Sequence, residues 1–210
     1  MGRGERSAPA WVNMDVQAKD LDALRALARE IDLEPDHVFQ VCKTALSIFD
    51  QTHELHLLGA AERPLLEAGA LLHDCGFQRG PQRHHKHSRD LILELELPGF
   101  SDSEKKIVAC VARYHRKAAP EPTHAVFRDL SPQEQAVVSR LAAILRVADG
   151  LDRLHVASAQ SIRVEREGNI VRILVQQRRP CPTDLWGGLR KAAFFEQVFG
   201  VRLELLAAQA

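Results

Sequence analysis

The chain has 210 residues, enough for one domain with a full core or one domain plus a small appendix. Hydrophobic residues make up 45% and charged residues 27%, an ordinary globular balance, and the formal net charge is zero. That neutrality removes the global positive field that nucleic acid or an anionic membrane would select, and the 5% aromatic content argues against a base-stacking sheet. The opening MGRGERSAPA has no apolar signal-peptide core, and residues 1–12 read as a disordered tail. No apolar run reaches the length of a membrane span. Cys42, Cys75, Cys110 and Cys181 form no CxxC pair, so they read as buried apolar residues of a reduced, cytoplasmic chain.

From Asp15 a helical stripe runs through Val16, Leu24, Leu27 and Ile31. Leu33-Glu34-Pro35 breaks it, and Pro35 suits the first turn of a second helix that carries Val38, Val41, Ala45 and Ile48 inward to about Asp50. A third helix starts near Arg63-Pro64 and reaches His73, ended by Gly76 and Gly80-Pro81. A fourth spans about Arg83 to Leu95. Ser101–Glu104 and Ser131–Glu134 are capping boxes that open a fifth helix, to about Arg116, and a sixth, to about Gly150. Alternation over Ser161–Glu165 and Ile170–Val175 around a Glu167–Asn169 turn predicts a β-hairpin. Residues 184–199 then read as helix and Val201–Leu205 as a strand. The fold class is mainly α: a helical body over 13–157, then a small α/β subdomain over 158–210 made of a β-hairpin, a helix and a strand.

Polar residues fall on the apolar stripes. His37 lies four before Val41 and eight before Ala45; His73, with Asp74 directly after it, lies three after Ala70; Asp149 lies four after Leu145 and eight after Leu141. A buried, unpartnered carboxylate costs several kcal/mol or shifts its pKa strongly. Two carboxylates and two imidazoles aimed inward therefore need a shared partner, and a divalent cation supplies one. His115, four after Val111, and His87, four before Leu91, extend the set enough for two ions; His85, two residues away, is the alternative to His87. A single histidine on an apolar face is more often a satisfied core residue, so the reading rests on the coincidence of all of them.

His37, then Leu72-His73-Asp74-Cys75-Gly76, then Val147-Ala148-Asp149 resembles the H…HD…D pattern of the HD-domain superfamily of metal-dependent phosphohydrolases. His85–Ser88, Leu97–Phe100, Arg113–Lys117, Leu145–Asp149 and Lys191–Gly200 are similar, in order, to the C-terminal part of the exopolyphosphatase/guanosine-pentaphosphatase (Ppx/GppA) family. The resemblance covers about residues 15–207 and implies an HD-type helical bundle. In that family polyphosphate hydrolysis is carried by an N-terminal actin-like region with glycine-rich phosphate loops, which this sequence does not show. The expectation is therefore a freestanding HD-type protein.

The implied activity is metal-dependent phosphohydrolysis of a nucleotide or polyphosphate-like substrate, with a metal-activated water attacking phosphorus. One or two ions are expected, drawn from Mn, Fe, Mg, Ni or Zn, with Asp74 bridging them or orienting the water. Lys86, Arg116, Lys117, Arg146 and Arg153 are the candidate phosphate-binding cations, each of them otherwise a solvated surface charge. The alternative is a non-catalytic module that binds polyphosphate or nucleotide, or that mediates oligomerisation such as a homodimer.

Overall fold

The computed structural model describes residues 19–208, so the expected tail over 1–12 and the start of the first stripe, Val16 included, lie outside the described residues. The helical body comprises α1 (Leu21–Ile31), α2 (Pro35–Gln51), α3 (His53–His56), α4 (Arg63–Leu71), a 3-10 segment (Cys75–Arg79), α5 (His84–Glu94), α6 (Asp102–Arg113), α7 (Ala125–Arg128) and α8 (Pro132–Gly150). There follow β1 (Ala159–Glu167), β2 (Ile170–Gln177), α9 (Pro182–Arg190), α10 (Ala192–Phe199) and β3 (Arg202–Ala207). The protein is mainly α with a small α/β tail.

Local chemistry accounts for most boundaries. Both capping boxes form: the Ser101 and Ser131 hydroxyls accept from the N–H groups of Glu104 and Glu134, whose carboxylates accept in return from the capping residues' N–H groups. Proline occupies the first turn of α2, α4, α8 and α9. The stretch expected as one helix over 184–199 is instead two, broken at Lys191. Strand β2 is central, antiparallel to β1 and parallel to β3.

One apolar core runs through both parts. Val41 of α2, Leu66 of α4, Val108 of α6 and Leu141 of α8 are buried in the same cluster as Val171 and Ile173 of β2 and Leu203 and Leu205 of β3. The open edge of β1 is covered by α2: Gln51 donates to Ile162 O and accepts from Val164 N, and Gln40 donates to Ala159 O. That is edge protection by amide side chains in place of a further strand.

Two close approaches set the geometry of one end of the bundle. A Cβ on Gly76 would lie 2.2 Å from His84 O and 2.3 Å from Ser88 N, so the 3-10 segment rides directly on the first turn of α5. A Cβ on Gly187 would lie 2.5 Å from Gly150 O, so α9 is pressed against the end of α8. Among the described residues, no helix is long and apolar enough to cross a membrane.

Candidate metal centre

Five segments converge where α8 ends. Helix α2 brings His37, the turn after α4 brings His73 and Asp74, α5 opens with His84, the turn after α6 brings His115, and α8 delivers Asp149. His37, His73, His84 and His115 are each 3% exposed or less. Their rings share one arrangement. His73 Nδ1 donates to Ala70 O at 2.7 Å, His115 Nδ1 to Ala112 O at 2.6 Å and His84 Nδ1 to Pro81 O at 3.2 Å. His37 Nδ1 donates to the buried Asp152 carboxylate at 2.9 Å. A carbonyl oxygen only accepts, so Nδ1 carries the proton in those three rings; the Nε2 lone pairs of His73 and His115 face the Asp74 carboxylate, and that of His84 also accepts from Arg116 Nη1 at 3.1 Å. This is the tautomer and orientation that outer hydrogen bonds impose on metal-ligating histidines.

Asp74 stands between two sets of those Nε2 atoms. Its Oδ2 lies 3.5 Å from His73 Nε2 and 3.8 Å from His37 Nε2, while its Oδ1 lies 3.3 Å from His84 Nε2 and 3.5 Å from His115 Nε2. Asp149 Oδ1 joins the first set, 3.6 Å from His37 Nε2 and 4.0 Å from His73 Nε2. His37, His73 and Asp74 form one potential cation-binding triad; Asp74, His84 and His115 form a second. Among the buried side-chain atoms without a hydrogen-bond partner are His37 Nε2, His73 Nε2 and Asp74 Oδ1. Buried polar atoms are rarely left so. Lone pairs without a partner, aimed at a common centre, fit a divalent cation.

The buried charges shift one another's protonation. Burial works to deprotonate His37, but the Asp149 and Asp152 carboxylates outweigh it and raise its pKa to about 10. Burial, reinforced by His73, holds His115 well below its ordinary value. Burial alone would raise Asp149; the Lys191 ammonium and the neighbouring histidines override it and hold the carboxyl well below its usual range. Lys191, at the break between α9 and α10, contacts Asp149 Oδ2 directly. His155 stacks on His37 with centroids 3.7 Å apart and pairs with Glu34.

The expected ligands His37, His73, Asp74, Asp149 and His115 are brought together. His87 and His85 are not part of either triad: His87 lines a separate hollow with Arg79 and Pro81, and His84 takes the place beside Asp74. The buried face of α5 is His84, Ser88 and Ile92, spaced by four. Ser88 is small and polar because Gly76 sits on it, so the apolar count through Leu91 and Leu95 follows the wrong register. The signal that finds His84 is its spacing of eight from Ile92.

Arg116, Lys117 and Arg153 line a cleft of about 460 Å³ over the centre, with Arg190 and Lys191 beside them. Lys86 does not line it. Arg146 is spent elsewhere: it donates to Tyr114 O, Lys117 O and Ala118 O, and lies 4.6 Å from the Phe194 ring centroid. Burial lowers its pKa to about 10. It therefore holds the turn carrying His115 and Lys117, which corrects its expected role in binding phosphate. Asp152 carries no sequence signal because Gly150 reads as the end of the helix, although the inward spacing continues three residues past Asp149. No periodicity marks Lys191.

The family model described as Ppx/GppA phosphatase, domain III, matches residues 22–178. A guanosine-5'-triphosphate,3'-diphosphate pyrophosphatase of Pseudoalteromonas translucida (strain TAC 125) is 29% identical over 109 residues, which is 51% of this chain and 21% of that protein. The protein of the same name from Aliivibrio fischeri (strain ATCC 700601 / ES114) is 28% identical over 123 residues, 58% of this chain and 25% of its own length. The aligned region thus spans about a fifth to a quarter of these curated relatives. With the family model matching most of its length, the chain belongs to the Ppx/GppA phosphatase domain III family.

Proposed function

We propose that this protein is an HD-type, divalent-metal-dependent phosphohydrolase acting on a nucleotide or polyphosphate-like substrate. The observation that supports it is the sharing of Asp74 between two buried ligand triads beneath a cation-lined cleft. His37, His73, Asp74 and Asp149 would hold one ion, and Asp74, His84 and His115 a second. Bound there, divalent metal supplies Lewis acidity and lowers the pKa of water toward neutrality. The rest of the chemistry belongs to the chain. Asp152 fixes the His37 ring, the main-chain carbonyls of Ala70 and Ala112 fix His73 and His115, and Arg116, Lys117 and Arg153 hold phosphoryl oxygens in the orientation for in-line attack. The curated relatives are named for a pyrophosphatase activity on guanosine-5'-triphosphate,3'-diphosphate, and a phosphorylated nucleotide is accordingly the first substrate to try.

The ion pair between Lys191 and Asp149 favours a second reading, in which a side-chain cation stands in for one metal and the domain binds phosphate chains without cleaving them. One experiment separates the two: phosphate release from nucleotides and inorganic polyphosphates, with Mn²⁺ and with chelator, for wild type and His73→Ala. The hydrolase reading predicts turnover that requires metal and is lost in the variant. Tight binding without turnover under any metal supports the second reading.

A further inference from the structure

Trp186 stands out by its exposure. Among the described residues it is the one Phe, Tyr or Trp with an exposed side chain, 53% open, and it lines the cleft over Asp74 and Asp149. Trp is enriched at binding surfaces, where its ring meets an apolar partner and its N–H stays wet. Its place is fixed by its helix. Asp184, fully buried two residues earlier, accepts from Leu154 N and Ser158 Oγ. Gly187, the next residue, packs against Gly150 O and Arg153 Cβ with no room for a side chain. Helix α9 is therefore locked to the segment that carries Asp149 and Arg153, and the indole is held at a set place on the cleft wall. The Arg190 guanidinium braces the indole, 4.9 Å from its centroid, a favourable cation–π position.

The cleft thus has two chemistries. Arg116, Lys117, Arg153 and Lys191 suit the oxygens of a phosphate chain, whereas an exposed, braced indole suits a planar ring. An inorganic phosphate chain uses only the first. We propose that Trp186, backed by Arg190, is a specificity-determining platform that stacks a nucleobase, so that the site selects a nucleoside polyphosphate over an inorganic chain of equal phosphate number. This rests on the cleft being the phosphate-binding site proposed above.

The chain has two tryptophans, Trp11 and Trp186, so W11F leaves Trp186 as the sole indole reporter. GTP and inorganic tripolyphosphate would be titrated against W11F by fluorescence and calorimetry, and both would be tested as substrates with Mn²⁺. The expected result is quenching of Trp186 by GTP and tighter binding of GTP than of tripolyphosphate. W186A then lowers the ratio of the two affinities by about five- to a hundredfold, the range for loss of one base–aromatic stack, and W186F restores most of it. Equal affinities in the parent, with a ratio that W186A leaves within twofold, would overturn the proposal. The two levels separate cleanly. GTP quenching without phosphate release keeps the platform and removes the hydrolase; equal cleavage of both substrates, indifferent to W186A, keeps the hydrolase and removes the platform.

Discussion

Replacing Gly76 by alanine tests whether the close ride of the 3-10 segment on α5 is what seats His84 beside Asp74. The added methyl would sit 2.2 Å from His84 O and 2.3 Å from Ser88 N, both main-chain atoms that cannot swing aside, and 2.7 Å from Ser88 Oγ. Reaching an ordinary 3.4 Å contact requires α5 to retreat by about 1.2 Å. Overpacking of this kind costs about 1–3 kcal/mol, and two rigid contacts put Gly76→Ala at the upper end. At about 2–4 °C per kcal/mol for a chain of this size, Tm should fall by about 6–12 °C. His84 Nε2 stands 3.3 Å from Asp74 Oδ1, and metal–imidazole bonds tolerate only a few tenths of an ångström around about 2.0–2.1 Å. The same shift should therefore weaken the His84–His115 ion more than tenfold and spare the one at His37 and Asp149. Calorimetric melting in chelator gives the first quantity and metal titration the second. Gly59→Ala is the control, since its methyl meets only Glu62 Oε2, at 3.4 Å. A Gly76→Ala protein within 2 °C of wild type and with unaltered metal binding would refute the reasoning.

Three further outcomes follow from the same geometry. Asp152 accepts from His37 Nδ1 through one oxygen and from Ala157 N through the other, so Asp152→Asn sets an amide donor against a donor on one side; titration should show metal affinity falling about 10–100-fold. In metal-free protein the folded-state pKa of His37 is raised from 6.5 to about 10, so the native state holds the extra proton between those values. The His37 contribution to stability is fully present below 6.5 and disappears as pH rises through 10, and His37→Gln should flatten that part of a denaturation profile, whereas a slope unchanged in the variant would exclude His37 as its source. Lys191→Met leaves Asp149 without its cation, so the melting temperature of metal-free protein should drop while metal affinity rises; equal shifts with and without metal would mean that Lys191 does not compete for the carboxylate.

Much of this centre is legible from helical spacing because its side chains sit on core faces. His37, Asp149 and His115 each share a stripe with aliphatic residues, and a polar group on such a stripe has nowhere to point but inward. Spacing carries no such signal where the packing partner is not aliphatic. Helix α5 meets the 3-10 segment through Ser88 and Gly76, so its buried face carries little hydrophobic signal and His84 is hidden behind His85 and His87. Arg146 shows the opposite failure: a cation near the site looks like a phosphate ligand, but three open carbonyls of the turn after α6 claim it. Lys191 and Trp186 reach the cleft through tertiary contact of α9 with α8, which no local pattern encodes. The capping boxes and prolines, whose chemistry is confined to one turn, appear where the spacing predicts them.

The most direct test of the central claim is anomalous diffraction from a crystal grown with Mn²⁺. The account predicts two peaks about 3.5–4 Å apart, one on each side of the Asp74 carboxylate, the first among His37, His73 and Asp149 and the second between His84 and His115. Absence of any peak there at saturating Mn²⁺, with the Lys191 ammonium still on Asp149, would contradict it.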